Sequence, residues 1–269
     1  MTTITLLTDF GTDDEFVGVM KGVILGVNPS ATIVDITHQI DPQNIIQAAW
    51  LIPSYYQYFP KGTVHIIVVD PGVGSDRLII ALKKADHFFL APDNGVLSLI
   101  LESGDIDKVV GITNESYFLT PVSRTFHGRD IFAPAGAHIS LGIEIGRMGA
   151  PRDIEELLRL KIPKPYLSDE GELVGAIISI DRFGNLITNI KVSDINELLE
   201  PYPESQPVFK IGGREIGGLS ESYQSTAPGN PLAIIGSREY LEFAVNKGSA
   251  HNRLGVEKMD PIRVILIKG

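Results

Sequence analysis

The stretch VHIIVVD, residues 64–70, decides the fold class of this 269-residue chain. It is nearly all apolar and rich in β-branched side chains, a composition typical of a strand buried on both faces of a parallel sheet. A shorter apolar strand comes at residues 4–8, and between Phe16 and Ile24 apolar side chains recur at helical spacing. Strands that alternate with helices predict a mostly parallel sheet covered by helices on both faces.

This alternation continues to about residue 141. Pro53 lies inside one of the helical segments, where we expect it to kink the helix. The predicted strands are residues 4–8, 32–36, 64–70, 77–82, 87–90 and 108–112, and the predicted helices are residues 16–24, 45–58 and 130–141. The first half of the chain is therefore predicted to be an α/β domain.

The pattern changes after this half. Pro151, Pro163 and Pro165 surround a charged stretch that we interpret as a linker. Beyond it, short strands separated by turns rich in Gly, Pro, Asn and Ser replace the helices, which favours a small β-barrel or sandwich. The prediction is an N-terminal α/β domain at residues 1–156, a linker at 157–170 and a C-terminal all-β domain at 171–269.

The composition argues against several function classes. The formal net charge is −10 and the lysines and arginines form no cluster, so we expect no nucleic-acid partner. With no cysteine, the chain has no disulfide, no thiolate nucleophile and no cysteine-ligated metal; a metal site would need histidines and carboxylates. No uncharged apolar run approaches the roughly 18 residues of a membrane helix, and the first residues lack the pattern of a secretory signal. We expect a cytoplasmic protein with no membrane partner.

Polar residues that follow the predicted strands are the candidates for a site, because ligands bind beyond the carboxyl ends of parallel strands. Asp9, Asp70 and Asn94 follow three of these strands, and His127 precedes a predicted helix. His127 is favoured among the six histidines, because Gly128 gives its backbone freedom and charged residues of both signs follow. These residues indicate one polar crevice at the carboxyl edge of the sheet.

Each candidate also has a plain structural interpretation. Asp70 and Arg77 stand seven residues apart across a turn rich in Gly and Pro, and an ion pair across that loop explains them equally well. Asn94 lies in a PDNG turn sequence, and Asp14 is as well suited to capping the following helix as to binding a ligand. If Asp70, Arg77 and His127 converge, they are suited to holding and polarising a water molecule.

The second half of the chain offers two further polar clusters. Residues 181–185 read DRFGN, and residues 236–238 read GSR. Such sequences usually form turns, yet their carboxylate and amide groups also suit an amine or a nucleobase edge. Pattern alone indicates an α/β hydrolytic or ligand-binding protein with an unknown substrate.

Six short motifs follow one another along the chain. They are LTDFGTDD (residues 7–14), VDPGVGSDR (69–77), APDNG (91–95), FHGRDIFAP (126–134), DRFGN (181–185) and GSREY (236–240). Together they resemble the SAM hydroxide adenosyltransferase family, S-adenosyl-L-methionine (SAM) hydrolases that share a fold with the fluorinating and chlorinating SAM halogenases. The resemblance implies an N-terminal α/β domain, a C-terminal β-barrel and a homotrimer with SAM bound between subunits.

The same resemblance implies a catalytic set of Asp70, Arg77 and His127, which would activate the attacking water. It also implies a substrate-binding set that contacts the ribose, methionine and adenine parts of SAM. That set comprises Asp9, Asn94, Asp181, Phe183, Asn185, Ser237, Arg238 and Ala250. No metal or cofactor is implied, because the sulfonium of SAM leaves as a neutral thioether and needs no acid.

Within the binding set, the resemblance assigns separate parts of the substrate. Asp9 corresponds to a carboxylate that holds the ribose hydroxyls. Asp181 and Asn185 correspond to positions that grip the methionine amine and the adenine region, with Phe183 beside them. Ser237 and Arg238 correspond to the pair that engages the methionine carboxylate, and Ala250 to a backbone contact with adenine.

The expected function is hydrolysis of SAM to adenosine and L-methionine by attack of an activated water or hydroxide at ribose C5′. A halogenase of the same fold is disfavoured, because the resemblance implies that halogenases lack the Asp, Arg and His set and carry a long N-terminal insertion. A metal-dependent phosphohydrolase is motivated by the carboxylates of residues 9–14 together with His127 and Asp130. A further alternative is a module that binds SAM or adenosine, in which the three polar residues form only a polar floor.

Overall fold

The computed structural model describes residues 2–268, the side chain of Lys268 excepted. The chain forms two compact units that divide between Lys161 and Ile162. Residues 157–170 include parts of both units: Leu157 packs in a core of the first, and Tyr166–Leu167 pairs with a strand of the second.

One six-stranded sheet forms the centre of the first unit. Its strands are β1 (Thr3–Thr8), β2 (Thr32–Thr37), β3 (Val64–Val68), β4 (Ile79–Lys84), β5 (His87–Pro92) and β6 (Ile106–Gly111). Their order is β2-β1-β3-β5-β4-β6; the first four run parallel, and β4 is antiparallel to both of its neighbours. The mostly parallel sheet predicted from the sequence is confirmed, and all five residues of β3 are buried within it.

Helices pack against both faces of this sheet. They are α1 (Phe16–Val27), α2 (Ile45–Leu51), α3 (Ser98–Glu102) and α4 (Ala133–Ser140). Successive residues of β3 point to opposite faces. Ile66 therefore lies in one apolar cluster with Met20 of α1, and Ile67 lies in the other with Ala48 of α2.

Two predicted helices are broken in the structure. The segment predicted as a helix at 45–58 leaves the α-helical path after Leu51 and continues as two 3₁₀ turns, Ile52–Ser54 and Tyr56–Tyr58. Pro53 lies in the first turn, where its ring and missing N–H oppose an α-helix. The helix predicted from residue 130 begins instead as a π-helical turn at Gly128–Phe132 and becomes α4 at Ala133.

The second unit is an antiparallel, nearly closed barrel. Its strands are β7 (Tyr166–Leu167), β8 (Leu173–Ile180), β9 (Leu186–Lys191), β10 (Ser205–Ile211), β11 (Arg214–Gly217), β12 (Pro231–Ile235), β13 (Tyr240–Val245) and β14 (Pro261–Lys268). The order is β11-β10-β14-β8-β9-β13-β12, with β7 beside β8, and a bridge between Ser220 and Ile234 brings the two ends of the sheet together. The predicted C-terminal β-barrel is confirmed.

Two short helices interrupt this barrel, contrary to the expectation of strands alone. They are α5 (Val192–Leu199) and α6 (Ala250–Leu254). Each buries one or two apolar residues, such as Ile195 of α5 and Ala250 of α6, in the barrel core. Helices of eight and five residues are too short to show a clear period in the sequence.

Within residues 2–268, no helix has the length and apolar character needed to cross a membrane.

Candidate active site

The carboxyl ends of three neighbouring parallel strands carry three of the predicted site residues. Asp9 follows β1, Asp70 comes two residues after β3, and Asn94 comes two residues after β5. β3 lies between β1 and β5, so these residues follow adjacent strand ends. The structure thus places them at the sheet edge where ligands bind in folds of this class.

The loop from Asp70 to Arg77 is a compact double turn. The Asp70 carbonyl accepts the Val73 N–H over 3.2 Å, and the Gly72 carbonyl accepts both the N–H and the hydroxyl of Ser75. The Ser75 hydroxyl in turn accepts the Arg77 N–H over 3.3 Å. These bonds reverse the chain and return Arg77 to the end of β3.

Gly74 shows why this loop needs glycine. Its φ is +77°, a conformation that L side chains rarely adopt, and a Cβ at this position would overlap the carbonyl oxygen of Arg124. The loop therefore packs backbone to backbone against the segment that leads to His127.

Asp70 and Arg77 form a buried, forked ion pair. Nε of Arg77 lies 2.8 Å from each carboxylate oxygen of Asp70, and Nη2 also donates to Oδ2. The side chains are 3% and 10% exposed, respectively. A planar guanidinium that meets a carboxylate in this way is held in one orientation, so the pair is more than a flexible surface contact.

His127 joins the pair through Arg77. Nη2 of Arg77 lies 2.9 Å from Nδ1 of His127. Arg77 can only donate, so Nδ1 accepts, and a neutral ring then carries its proton on Nε2. Burial, with the nearby Arg77 charge as the next cause, lowers the pKa of His127 below its ordinary value, which keeps the ring neutral at physiological pH.

The segment around His127 is fixed by close packing. His127 precedes the π-helical turn, and a Cβ on Gly128 would come within 3.1 Å of the Met20 sulfur and 3.2 Å of the Phe126 ring. Gly128 was expected to give the backbone freedom, but its φ is not among the positive values, so the structural reason for glycine is this close approach. Phe10, Phe16 and Phe126 form an aromatic cluster beside it.

The side chains of Asp9 and Asn94 both make hydrogen bonds with backbone groups. Oδ2 of Asp9 accepts the N–H of Gln43, whose φ is +64°. The Asn94 amide donates to the carbonyl of Val69 over 2.9 Å and accepts the Val96 N–H over 3.1 Å. Asn94 therefore fixes the residue before Asp70.

Helix α1 follows Glu15 without a side-chain capping bond, so capping by Asp14 is not seen in the described chain.

The acidic residues that motivated a metal site are not gathered around an ion site. Asp130 is fully buried, and its oxygens accept hydrogen bonds from Nε and Nη2 of Arg129 and from the N–H of Ser123. Within residues 2–268, no group of three histidine or acidic side chains is placed to hold a metal ion.

In the second unit, Asp181 builds the hairpin between β8 and β9. Oδ1 accepts the N–H groups of Phe183 and Asn185 over 2.8 and 2.9 Å, and Oδ2 accepts the Asn185 amide over 2.9 Å. Gly184 in the same turn has φ +81°, and a Cβ there would overlap Ser249. The turn holds Phe183 outward, with 77% of its surface exposed.

The other predicted binding residues differ in their freedom. Ser237 and Arg238 lie in the turn between β12 and β13, and within residues 2–268 their side chains make no intrachain hydrogen bond or ion pair. Ala250 is fully buried in the barrel core, so only its backbone could face a ligand. Apart from Ala250, the predicted binding residues of this unit lie in two hairpin turns, at residues 181–185 and 237–238.

Comparison with known families matches both units. The family description SAM hydroxide adenosyltransferase N-terminal domain fits residues 4–149, and the corresponding C-terminal domain fits residues 175–263. The chain belongs to this family.

Individual relatives agree with that assignment. The chain is 34% identical over 262 residues to the (R)-S-adenosyl-L-methionine hydrolase of Salinispora tropica, which covers 97% of each chain. It is 27% identical to a fluorinase of Actinoplanes sp. over 90% of each chain. A crystal structure of an uncharacterized conserved protein from Thermotoga maritima superposes with a TM-score of 0.89 at 35% identity, covering 98% of this chain and 99% of that one.

One buried polar residue near these turns is not predicted from the sequence. Glu242 lies in the middle of β13 and is only 7% exposed. Burial raises its pKa, the Arg238 charge opposes this rise, and Asp181 adds to it. The available signal was a lone acid inside the apolar run YLEFAV, residues 240–245, four residues after the GSR turn.

Proposed function

We propose that this protein hydrolyses SAM to adenosine and L-methionine. Family membership and the name of the Salinispora tropica relative support this substrate. In the proposed step a water oxygen forms a bond to ribose C5′ while the C5′–S bond breaks and its electron pair stays on sulfur. The sulfonium becomes a neutral thioether, one proton is released to solvent, and no cofactor, metal or acid is needed for balance.

The observation that carries this proposal is Arg77, which bridges Asp70 and His127 at the carboxyl edge of the sheet. Its hydrogen bonds within the described chain use Nε and Nη2 and leave Nη1 for a ligand. A fixed cation with free donors stabilises a hydroxide that forms beside it. We assign Arg77 the role of stabilising the attacking oxygen, and Asp70 and His127 the role of holding the Arg77 guanidinium in position.

Neither neighbour of Arg77 is an unoccupied base. The lone pair of Nδ1 on His127 accepts from Arg77, and both oxygens of Asp70 accept from the same guanidinium. Catalysis therefore comes mainly from positioning and charge, and the proton that the attacking water loses passes to solvent.

Residues of both units bind the substrate in this proposal. Asp9 receives the ribose hydroxyls, Ser237 and Arg238 receive the methionine carboxylate, and Asn94 supports the pocket from beside Val69. The turn of residues 181–185 receives the adenine region and the amine, with a backbone contact from Ala250. The exposed ring of Phe183 suits a site covered by a ligand or a neighbouring subunit.

We further propose a homotrimer, with SAM between the first unit of one subunit and the second unit of the next, in the cytoplasm. Sedimentation analysis of the pure protein tests the assembly; a monomer at micromolar concentration contradicts it. Cell fractionation tests the location.

The proposed reaction is tested by incubating pure protein with SAM in heavy-oxygen water and separating the products by chromatography with mass detection. We expect adenosine with one solvent oxygen at the 5′ position, methionine in equal amount, and no product from an Asp70→Ala variant. Unlabelled adenosine excludes direct displacement by water.

Two additions separate the alternatives. A halogenated nucleoside formed in the presence of chloride or fluoride indicates a halogenase. Loss of SAM cleavage after chelation, restored by a divalent cation, indicates a metal-dependent enzyme. SAM binding without cleavage by the wild type indicates a binding module.

A further inference from the structure

Glu242 is a buried acid without a cation of its own. Its strand lies between β9 and β12, where Ile187 and Ile234 stand opposite it. Neighbouring Leu241 and Phe243 point into the barrel core, so Glu242 lies on the other face of the sheet. Within residues 2–268, no lysine, arginine or histidine forms an ion pair with it.

The intrachain support of this carboxylate is weak. The Tyr223 hydroxyl donates to Oε2 over 3.5 Å, which is long for a hydrogen bond. A Cβ on Gly236 would overlap the carboxylate, so the acid is pressed against the start of the turn that carries Ser237 and Arg238. An ionised carboxylate removed from water in this way is costly unless a ligand compensates it.

Asp181 lies near enough to influence the pKa of Glu242, and so does Arg238. The carboxylate oxygens of Asp181 already accept three hydrogen bonds within its own turn. Glu242 is therefore the acid of this group with the most unused accepting capacity.

The charges of this group complement SAM. Asp181, Glu242 and Arg238 sum to −1, whereas SAM carries a sulfonium, an ammonium and a carboxylate, which sum to +1. Methionine as a product has lost the sulfonium and is neutral overall. A group with charge −1 favours the cationic substrate over this product.

We propose that Glu242 is a specificity-determining residue that, together with Asp181, receives the α-ammonium group of SAM. This inference rests on the proposed function, because it takes SAM as the ligand. Tyr223 keeps the acid in place when the site is empty, and Arg238 beside it receives the α-carboxylate.

The test compares binding of SAM with binding of the analogue in which hydrogen replaces the α-amino group, by calorimetry at pH 8 in an Asp70→Ala parent, which is expected not to cleave SAM. The variants made in this parent are Glu242→Gln and, as a matched control, Glu239→Gln, which removes the same charge at an exposed position of the turn between β12 and β13. We expect the Asp70→Ala parent and the control to prefer SAM by at least tenfold in Kd. The preference should fall at least tenfold in Glu242→Gln, as expected for loss of a charged hydrogen bond.

A preference that is unchanged in Glu242→Gln overturns the proposal, whether or not SAM is cleaved. The readout is the ratio of the Kd values of one protein for two ligands. A general loss of folded protein affects both measurements alike and leaves this ratio unchanged. In the kinetic version, KM for SAM rises about tenfold or more while kcat stays within about threefold. Absence of adenosine formation by the wild type defeats the proposed function separately, since the binding ratio is measured without turnover.

Discussion

Nη2 of Arg77 donates a hydrogen bond to Nδ1 of His127 over 2.9 Å. The imidazole is therefore held in the tautomer that accepts a hydrogen bond on Nδ1. A proton on Nδ1 would place its N–H against the N–H of Arg77. A His that acts by taking the proton of water needs a free lone pair, which this geometry does not provide. His127 is therefore better described as a positioning residue for Arg77 than as the general base.

This interpretation predicts a difference between two substitutions of His127. In His127→Asn the amide oxygen can replace Nδ1 as acceptor, so we expect kcat within about tenfold of the wild type. His127→Ala has no acceptor and should lose about 100-fold, the usual scale for a misplaced charge-stabilising group. Steady-state kinetics on SAM measures both. Equal losses of 100-fold or more in the two variants would show that the imidazole itself is required.

The acid limb of the pH profile is a second prediction for His127. Burial and then the Arg77 charge lower its pKa, so the neutral ring persists below pH 6.5. We expect kcat/KM to stay level as the pH falls through 6.5 and to drop only when the ring gains its proton at lower pH. His127→Asn should not show this drop. An acid limb centred at or above pH 6.5 contradicts the assignment.

Arg77→Lys is expected to abolish most of the activity. A lysine ammonium cannot donate simultaneously to both oxygens of Asp70 and to His127 while keeping further donors for a ligand. We expect kcat to fall by about 10²–10³ with a folded protein, as judged by circular dichroism. Arg263→Lys is the control, because Arg263 makes a partly exposed ion pair with Glu172 in the other unit. Near-normal kcat in Arg77→Lys would assign Arg77 a purely structural role.

The close contact at Gly74 gives a prediction about the loop. Gly74→Ala forces a side chain into a left-handed conformation and against the Arg124 carbonyl, so Arg77 should be displaced. Gly62→Ala is the control, because Gly62 has φ +86° but open space around it. Both should lose about 1 kcal/mol in the free energy of unfolding from the backbone conformation. Only Gly74→Ala should also lose kcat, by about tenfold or more; equal kinetic effects contradict this account.

Much of the architecture was predictable, because β3 and its neighbours have strong local patterns. The apolar run at residues 64–69 favoured a strand buried on both faces, whereas the return of Arg77 to Asp70 depends on the hydrogen bonds of the turn between them. The breaks in the helices were less visible. Pro53 indicated a kink but not two 3₁₀ turns, and the π-helical turn after His127 depends on packing against α1 that no local pattern encodes.

The candidate site was predictable to a different extent in each unit. Asp70, Arg77 and His127 lie together, but the hydrogen bonds that fix the His127 tautomer depend on tertiary packing and could not be read from the sequence. Glu242 was missed because a single acid within a strand reads as a surface residue. Its burial results from the placement of β13 between two other strands, which is a tertiary property.

A buried histidine pair at the other end of β3 gives the last prediction. Nδ1 of His65 is hydrogen-bonded to the Thr5 hydroxyl at 2.8 Å, and Nε2 lies 3.2 Å from Nδ1 of His87. Burial, and next the neighbouring His87, lowers the pKa of His65 to about 3. Between pH 6.5 and 3, the unfolded chain, with a histidine pKa near 6.5, therefore binds a proton at His65 that the folded chain does not bind.

Folding stability should therefore be fully present above about pH 6.5 and should decrease as the pH falls toward 3, by up to about 1.4 kcal/mol per pH unit for this one group. Urea unfolding at pH 7, 6 and 5 measures the slope. The double variant Thr5→Val/His65→Leu removes the titrating ring and its partner together, so its stability should depend less on pH. Because His65 lies at the opposite end of β3 from Asp70, kcat at pH 7.5 should remain within about twofold in the double variant. An unchanged slope in that variant would mean that groups other than His65 set the acid sensitivity of the fold.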